Sequence, residues 1–434
     1  MIKRILNKIK TKKINISVIG LGYVGLPLCM RLIDKNFNVS GIDTDFDKIN
    51  ALKKGVSYID NLKINNLGYF KNNPKNLSTK YDLVKKSDVI IICLPTPLKN
   101  NLEPEMKYIF DCFRKLKKIL KKGQTIILES TVYPGATNEH FDKINKNLNF
   151  KIGKDIFLIY SPERENPGDK NFDYSKTPKV VSGKSKNCEK IAKNLYSFIC
   201  KKVFTATSIE VAEMSKLLEN TYRSVNIGLV NEFKIISDKM NLNIWDVIKA
   251  AKTKNFGFTA FEPGPGIGGH CIPIDPHYLS WVSKKYNYNP SFIISSLLLN
   301  RKMPSWTFKQ ILKIANKKNI NLNKILFLGV AYKKNVDDLR ESPSIKIMNL
   351  FHKKKYKIKF NDPHINTVFL GNKNKKILCS QKMNYKNLSN YDAIIISTNH
   401  DSYDYKNILK YSKNIIDTRG VFKNFKFQDK IDFV

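Results

Sequence analysis

Short apolar runs alternate with stretches whose apolar positions recur every three to four residues, and this alternation organises the first half of the chain. INISVI (14–19), FNVSGID (37–43), DVIIICLP (88–95), QTIILES (124–130), DIFLIYSPE (155–163) and PKVVSG (178–183) read as buried strands with helical patterns between them. They predict a doubly wound parallel sheet over residues 14–207. From Ser208 to about Lys239 the pattern changes: Pro is absent, and Val211, Met214, Leu218, Val225, Leu229, Phe233 and Ile236 repeat at helical spacing. This is one long helix. Further helical segments at 244–253, 276–286 and 290–317 make 208–317 an all-α middle region, suited to joining two lobes and carrying a dimer interface. A second strand series, ILFLGVAY (325–332), IKF (358–360), DAIIIST (392–398) and NIIDTRG (414–420), predicts a smaller α/β lobe over 318–434. Residues 1–13, MIKRILNKIKTKK, stand outside as a basic, mildly amphipathic extension, expected to be frayed and solvated.

The first βα junction carries the most specific local signal. GLGYVG (20–25) follows a strand and opens a helix over Leu26 to Ile33, and the next strand ends on Asp43, 18 residues after Gly25. A dinucleotide needs a tight turn, a bare backbone against its pyrophosphate and a carboxylate for the ribose 2′-OH. Gly20, Gly22 and Gly25, with Tyr23 and Val24 in the turn, are therefore cofactor-binding candidates. Asp43 favours NAD over NADP, because a 2′-phosphate would be repelled there. The expected fold class is α/β: two Rossmann-like doubly wound parallel-sheet domains joined by a long central helix and an all-α middle region. The second lobe lacks the glycine signature and need not bind a dinucleotide. Such sheets take ligands beyond the carboxyl ends of their strands. Pro95-Thr96-Pro97, Glu129-Ser130-Thr131 and Ser161-Pro162-Glu163-Arg164 lie there in the first lobe, and Lys333, Arg340 and Arg419 in the second. Turn formation and surface basicity are the plain alternatives for these positions.

A chain of 434 residues implies two or three domains, and 42% hydrophobic with 26% charged residues is a globular composition. The formal net charge is +39, from 76 Lys and Arg against 37 Asp and Glu. Charge of this size prompts a nucleic-acid hypothesis. The lysines are spread along the chain with no basic block interleaved with aromatics, so they read as solvated faces that also draw in anionic nucleotides. The seven cysteines, at 29, 93, 112, 188, 200, 271 and 379, are odd in number and scattered, which fits a reducing cytoplasm. No apolar run reaches the roughly 18 residues that span a bilayer.

FEPGPGIGGHCIPIDP (261–276) is a fixed Gly/Pro loop with Cys271 just before an expected helix N-terminus. Helix dipole and free N–H groups there favour a thiolate. The residues alone equally allow an inert buried cysteine in a turn. Metal binding by His270, Cys271, Asp275 and His277 lacks a second nearby cysteine to complete a zinc set, so no metal is expected. On the long helix Lys216 and Asn220 are four apart and share a face, although solvation is the usual fate of a lysine. Glu219 and Arg223 are spaced for a surface pair.

In kind and in order these pieces resemble the UDP-glucose/GDP-mannose dehydrogenase family of nucleotide-sugar 6-dehydrogenases, from about residue 14 to the C-terminus. The resemblance rests on GLGYVG with Asp43, CLPTPL (93–98), ESTVYPGAT (129–137), SPERENPG (161–168), SKLLEN (215–220), PGPGIGGHCIPIDP (263–276), GVAYKKNVDDLRESPS (329–344) and DTRG (417–420). SPERENPG and NFGFTAFEPGPGIGGHCIPIDP look most like the UDP-N-acetylhexosamine dehydrogenases of surface-polysaccharide pathways. UDP-glucose enzymes carry a GFGGSCFPKD-like segment, so His270 and Ile274 argue against that sugar.

The resemblance implies a four-electron oxidation of C6 of UDP-N-acetylglucosamine or UDP-N-acetylgalactosamine, with UDP-N-acetylmannosamine and UDP-glucose as alternatives. Two NAD are used per sugar, and Cys271 is the covalent nucleophile. By position, Lys216 and Asn220 would stabilise the oxyanion, Asp275 would activate water, and Thr131 and Glu163 would hold the water that acts as base. Pro95, Thr96, Thr131 and Arg340 would contact NAD. Glu163, Arg164, Glu165, Lys216, Asn220, Gly268, Gly269, His270, Lys333 and Arg419 would contact the UDP-sugar. A cytoplasmic homodimer or higher homo-oligomer is implied. The arginine that the family supplies from the neighbouring subunit has no equivalent between 249 and 263. A two-electron NAD dehydrogenase of the 6-phosphogluconate or hydroxyacyl type shares the architecture but has no use for the thiol.

Overall fold

The six apolar runs of the first half become strands of a single eight-stranded sheet in the computed structural model, which describes residues 1–59, 67–164, 176–371, 376–426 and 429–434. The strands are β1 (Asn15–Ile19), β2 (Asn38–Ile42), β3 (Leu77–Ser78), β4 (Val89–Ile92), β5 (Thr125–Leu128), β6 (Phe157–Tyr160), β7 (Lys179–Gly183) and β8 (Val203–Thr205). Their spatial order is β3-β2-β1-β4-β5-β6-β7-β8. Every residue of β4, β5 and β6 is buried, as near-continuous apolar strands covered on both faces must be. The sheet is parallel except where β7 runs antiparallel to β6, pairing Ile159 with Gly183. Strand direction leaves no mark on a local apolar pattern. β3 and β8 are too short to show a period.

The described chain divides into two units, Met1–Glu219 with His277–Tyr288, and Asn220–Pro276 with Asn289–Val434. The second holds a parallel five-stranded sheet, β10-β9-β13-β14-β15, and an antiparallel pair, β11 with β12. These strands are β9 (Ile325–Leu328), β10 (Ile358–Asn361), β11 (Thr367–Leu370), β12 (Lys376–Cys379), β13 (Ala393–Ile396), β14 (Ile415–Asp417) and β15 (Ile431–Phe433). Both lobes are thus Rossmann-like, with a helical region between them in sequence. Among the described residues no helix is long and apolar enough to cross a membrane.

The N-terminal extension is not frayed. Residues Ile2–Lys10 form a helix that packs against the helix Lys186–Tyr196, burying Ile5 and Ile9 in the core of the first lobe. Lys8 Nζ reaches Asp88 Oδ1 at 2.6 Å. The apolar positions 5 and 9 share a face at i, i+4 spacing, and tertiary packing stabilises a helix too short to persist alone.

The helix Ile209–Lys239 is turned inside out. The apolar stripe is exposed: Leu218 is 65% exposed, Leu229 52% and Phe233 49%. The opposite face, with Glu213, Lys216, Asn220, Ser224, Asn231 and Lys234, is buried. Within the second unit this polar face packs on the helix Ser291–Lys317 through amides. Asn231 Nδ2 donates to Asn300 Oδ1 (3.0 Å), and Asn300 Nδ2 donates to the Ser224 carbonyl (3.0 Å). Gly228 permits the approach, since a Cβ there would stand 2.7 Å from Ser296 Oγ. Glu219 does not pair with Arg223 as its spacing suggested; Arg164 Nη2 reaches it at 2.8 Å.

Truncating a docked apolar side chain measures the N-terminal helix directly. Ile9→Ala should lower the unfolding free energy by roughly 2–4 kcal/mol, read as an earlier midpoint in urea denaturation. A frayed helix would show no change.

Candidate functional site

The glycine turn of the first unit has three glycines for three different reasons. Gly20 has φ +91°, and a Cβ on it would stand 2.5 Å from the Cys93 carbonyl oxygen. A Cβ on Gly25 would fall 1.8 Å from the Gly20 carbonyl oxygen, so this residue lets the helix Gly25–Asp34 start tight against β1. Gly22 has nothing within 4 Å of its Cβ position and leaves backbone open to a ligand. This is the bare cradle that a pyrophosphate fits. Asp43 Oδ2 accepts from the Leu21 N–H (2.8 Å), which ties the carboxylate to the turn, and Lys48 Nζ stands 3.6 Å away. Tyr23 and Val24 lie half-buried in the same turn. At the next strand end Pro95 is exposed and Thr96 buried, and the Thr96 carbonyl accepts from Tyr278 Oη (2.9 Å). The residues present fit NAD.

Glu163 sits beside a buried charge cluster that the sequence did not announce. Lys179 Nζ lies 2.8 Å from Glu129 Oε2 and 3.8 Å from Glu163 Oε2. Lys179, Glu129 and Tyr196 are fully enclosed, and Tyr196 Oη donates to Glu129 Oε1. Burial alone would strip the proton from Lys179; the two carboxylates overcome it and raise the ammonium pKa, keeping it charged. Thr131 is half-buried beyond β5. Arg164 donates through Nη1 to the Pro178 carbonyl (2.8 Å) and through Nε to Glu219 Oε2 (3.2 Å). Glu165 lies outside the described residues.

Glu213, also unforeseen, acts as a remote cap. Its carboxylate accepts from Gly135 N (2.5 Å), Thr137 N (2.9 Å) and Thr137 Oγ1 (2.6 Å), at the start of the helix Ala136–Leu148, whose own N-cap is a glycine. Burial outweighs these bonds and pushes its pKa up to about 7.

In the second unit the Gly/Pro loop is built around Cys271. The Cys271 carbonyl accepts from Ile274 N (3.0 Å) and Asp275 N (2.8 Å), closing the turn that leads into the helix Asp275–Lys284. Cys271 is exposed, whereas Cys29, Cys93, Cys112, Cys188 and Cys200 are buried. The inert-buried reading therefore does not describe Cys271. Asp275, 3% exposed, accepts from Asn220 Nδ2 at 2.5 Å, so two of the expected catalytic groups meet. Lys216 is buried one turn before Asn220 on the same helix face.

The loop is pinned by close backbone approach. A Cβ on Gly268 would stand 2.6 Å from Tyr332 Cβ, and Gly269 N donates to the Arg340 carbonyl (2.8 Å). Arg340 is held by Asp338 through Nε (2.9 Å) and Nη2 (2.6 Å). Burial, with the Arg340 charge adding to it and Asp338 opposing, lowers the His270 pKa and disfavours the imidazolium. Lys333 is half-buried after β9. Arg419 follows β14 and donates through Nε to the Ser397 carbonyl (2.8 Å). No group of three or more His, Cys, Asp or Glu among the described residues is placed to hold a metal ion. Tyr332 packs on the glycines of the Cys271 loop; only its position beside Lys333 hinted at that.

Three family models match in chain order: the UDP-glucose/GDP-mannose dehydrogenase family NAD binding domain over 14–200, its central domain over 210–302 and its UDP binding domain over 326–424. A UDP-N-acetyl-D-mannosamine dehydrogenase of Methanococcus vannielii is 34% identical over 430 residues, 96% of this chain and 95% of that one. A UDP-N-acetyl-D-glucosamine 6-dehydrogenase of Pseudomonas aeruginosa is 34% identical over 360 residues, 82% and 84% of the two chains. The solved UDP-D-ManNAc dehydrogenase of Pyrococcus horikoshii superposes with a TM-score of 0.85 at 29% identity, covering 97% of this chain and 99% of that one.

The buried cluster yields a stability prediction. Lys179→Met leaves Glu129 enclosed without its cation and should cost about 3–5 kcal/mol, measured by urea unfolding. Adding Glu129→Gln should recover part of that loss. An unchanged midpoint for the single variant would show that the pair contributes nothing.

Proposed function

The chain belongs to the UDP-glucose/GDP-mannose dehydrogenase family of NAD-dependent nucleotide-sugar 6-dehydrogenases, and on that premise we propose that it oxidises C6 of a UDP-N-acetylhexosamine to the carboxylate through Cys271. The observation that carries this reading is the second-unit loop. An exposed thiol stands on the residue whose backbone carbonyl closes the turn into a helix whose Asp275 is held by Asn220. The acetamido sugar is supported by His270 and Ile274, and by relatives named for UDP-N-acetylmannosamine and UDP-N-acetylglucosamine. UDP-N-acetylgalactosamine, the other sugar the sequence suggested, is a third arm of the substrate test.

When bound, NAD accepts the hydride of each oxidation. In the proposed sequence a water held by Thr131 and Glu163 takes the C6 hydroxyl proton in the first step. Cys271 Sγ then adds to the aldehyde carbon, and the resulting thiohemiacetal stands at an oxidation level from which a second hydride can leave. Water cleaves the thioester with Asp275 and Glu163 as bases, restoring the thiol and releasing the acid. Lys216 and Asn220 would donate to the oxyanion of the tetrahedral states, where buried donors count most. Arg164, Glu165, Gly268, Gly269, Lys333 and Arg419 would hold the UDP-sugar, with Arg340 and Pro95-Thr96 on the cofactor.

The same proposal makes the exposed stripe of the helix Ile209–Lys239 a homodimer surface. Leu218, Tyr222, Leu229 and Phe233 are each about half or more exposed, an apolar row that water disfavours.

Consumption of one UDP-N-acetylhexosamine should yield two NADH and a product of carboxylate mass, with the glucosamine, galactosamine and mannosamine forms run in parallel. One NADH per sugar would refute the covalent route. Cys271→Ser should form acid at less than about one-hundredth of the wild-type rate while its NAD affinity is unchanged. Leu229→Asp with Phe233→Asp should sediment as a monomer; an unaltered dimer would mean the stripe is not the interface.

A further inference from the structure

Lys234 lies on the buried face of the helix Ile209–Lys239, one turn past Asn231, and is 4% exposed. Its Nζ has no hydrogen-bond partner among the described residues. The ring of Trp306, 5.7 Å from Nζ to the centroid, is a weak substitute for water. Burial pulls the ammonium pKa down to about 7; Asp417 and Asp238 oppose that pull, and the Arg419 charge adds to it. An enclosed cation without an acceptor destabilises the fold, and no role proposed above uses this one.

A second cation shares the deficit. Arg419 Nη2 is enclosed and has no hydrogen-bond partner among the described residues, although Nε is satisfied by Ser397. Arg419 and Asn231, one turn before Lys234 on the same buried helix face, bear on one piece of backbone. Asn231 Oδ1 accepts from Gly264 N (2.9 Å), and a Cβ on Gly264 would stand 2.9 Å from Arg419 Nη1. Gly264 belongs to the loop that ends on Cys271. Two enclosed cationic donors that repel each other, beside a stretch of glycine backbone, are the complement of an electron-rich oxygen brought from outside.

We propose that Lys234 is a substrate-binding residue, its Nζ donating together with Arg419 Nη2 to an oxygen of the nucleotide sugar at the 263–269 loop. This rests on the reading of the chain as a UDP-sugar dehydrogenase. The acceptor is either on the nucleotide diphosphate or on the hexose, and the two are separable by experiment. A structural lysine would stabilise the fold, whereas a lysine kept for a ligand destabilises the free protein.

Calorimetric titration of the full chain with UDP and with UDP-N-acetylhexosamine, beside thermal melts, tests this. Lys234→Met should bind UDP-N-acetylhexosamine on the order of tenfold or more weakly, with NAD affinity retained and a melting temperature equal to or above wild type. Lys234→Gln keeps N–H donors and should lose less; it carries the test if the methionine variant does not fold. Loss towards UDP as well places the acceptor on the nucleotide, and loss towards the full sugar alone places it on the hexose. Affinity within twofold of wild type, or a joint fall of melting temperature and NAD affinity, overturns the assignment. Wild-type protein that binds neither UDP nor the sugar nucleotide overturns the parent reading as well.

Discussion

A buried polar group must find a partner, and the helix Ile209–Lys239 turns that requirement into architecture. Its inward face is polar, and several groups there recruit a specific answer. Glu213 recruits the start of the helix Ala136–Leu148, Asn231 recruits Asn300 and Gly264, and Asn220 recruits Asp275. Apolar packing tolerates sliding, whereas hydrogen bonds of 2.5–3.0 Å do not. The helix therefore sets the register of the loop that presents Cys271. Its outward face is apolar and exposed, which is the other consequence of the same inversion.

Enclosed charge is handled in two ways. Lys179 is matched by Glu129 and Glu163 and remains charged because the carboxylates oppose the effect of burial. Lys234 has no such match among the described residues, and burial draws its pKa down to about 7. The first arrangement is self-contained and rigidifies the strand ends β5 and β7. The second is incomplete in the free chain, which is the physical ground for reading it as a place that a ligand completes.

The glycines show how backbone constraints connect sequence to site. In GLGYVG each glycine answers a different steric demand, and only Gly22 leaves open space. In the Cys271 loop Gly268 and Gly269 allow Tyr332 and Arg340 to close on the backbone, so the second lobe's loop after β9 becomes part of the Cys271 environment. A side chain at either place would displace the loop carrying Cys271.

Local chemistry was enough to read six of the eight strands of the first sheet and four of the five of the second, the extent of the long helix, the glycine turn with Asp43 and the loop around Cys271, because each is written in contiguous residues. Periods of two and 3.6, turn glycines and a helix-start Asp-Pro need no distant partner to be recognised. What sequence could not decide were features that depend on which face meets which. These include the docking of the N-terminal helix through Ile5 and Ile9, the antiparallel run of β7, and the pairing of Glu219 with Arg164 in place of Arg223. The same holds for the buried pair Lys179–Glu129, 50 positions apart in sequence, and for the solitary Lys234. An apolar stripe looks identical whether it faces a core or a partner, and a lysine looks identical whether solvated or enclosed. Only the packed structure assigns each its surroundings, and the surroundings set its charge.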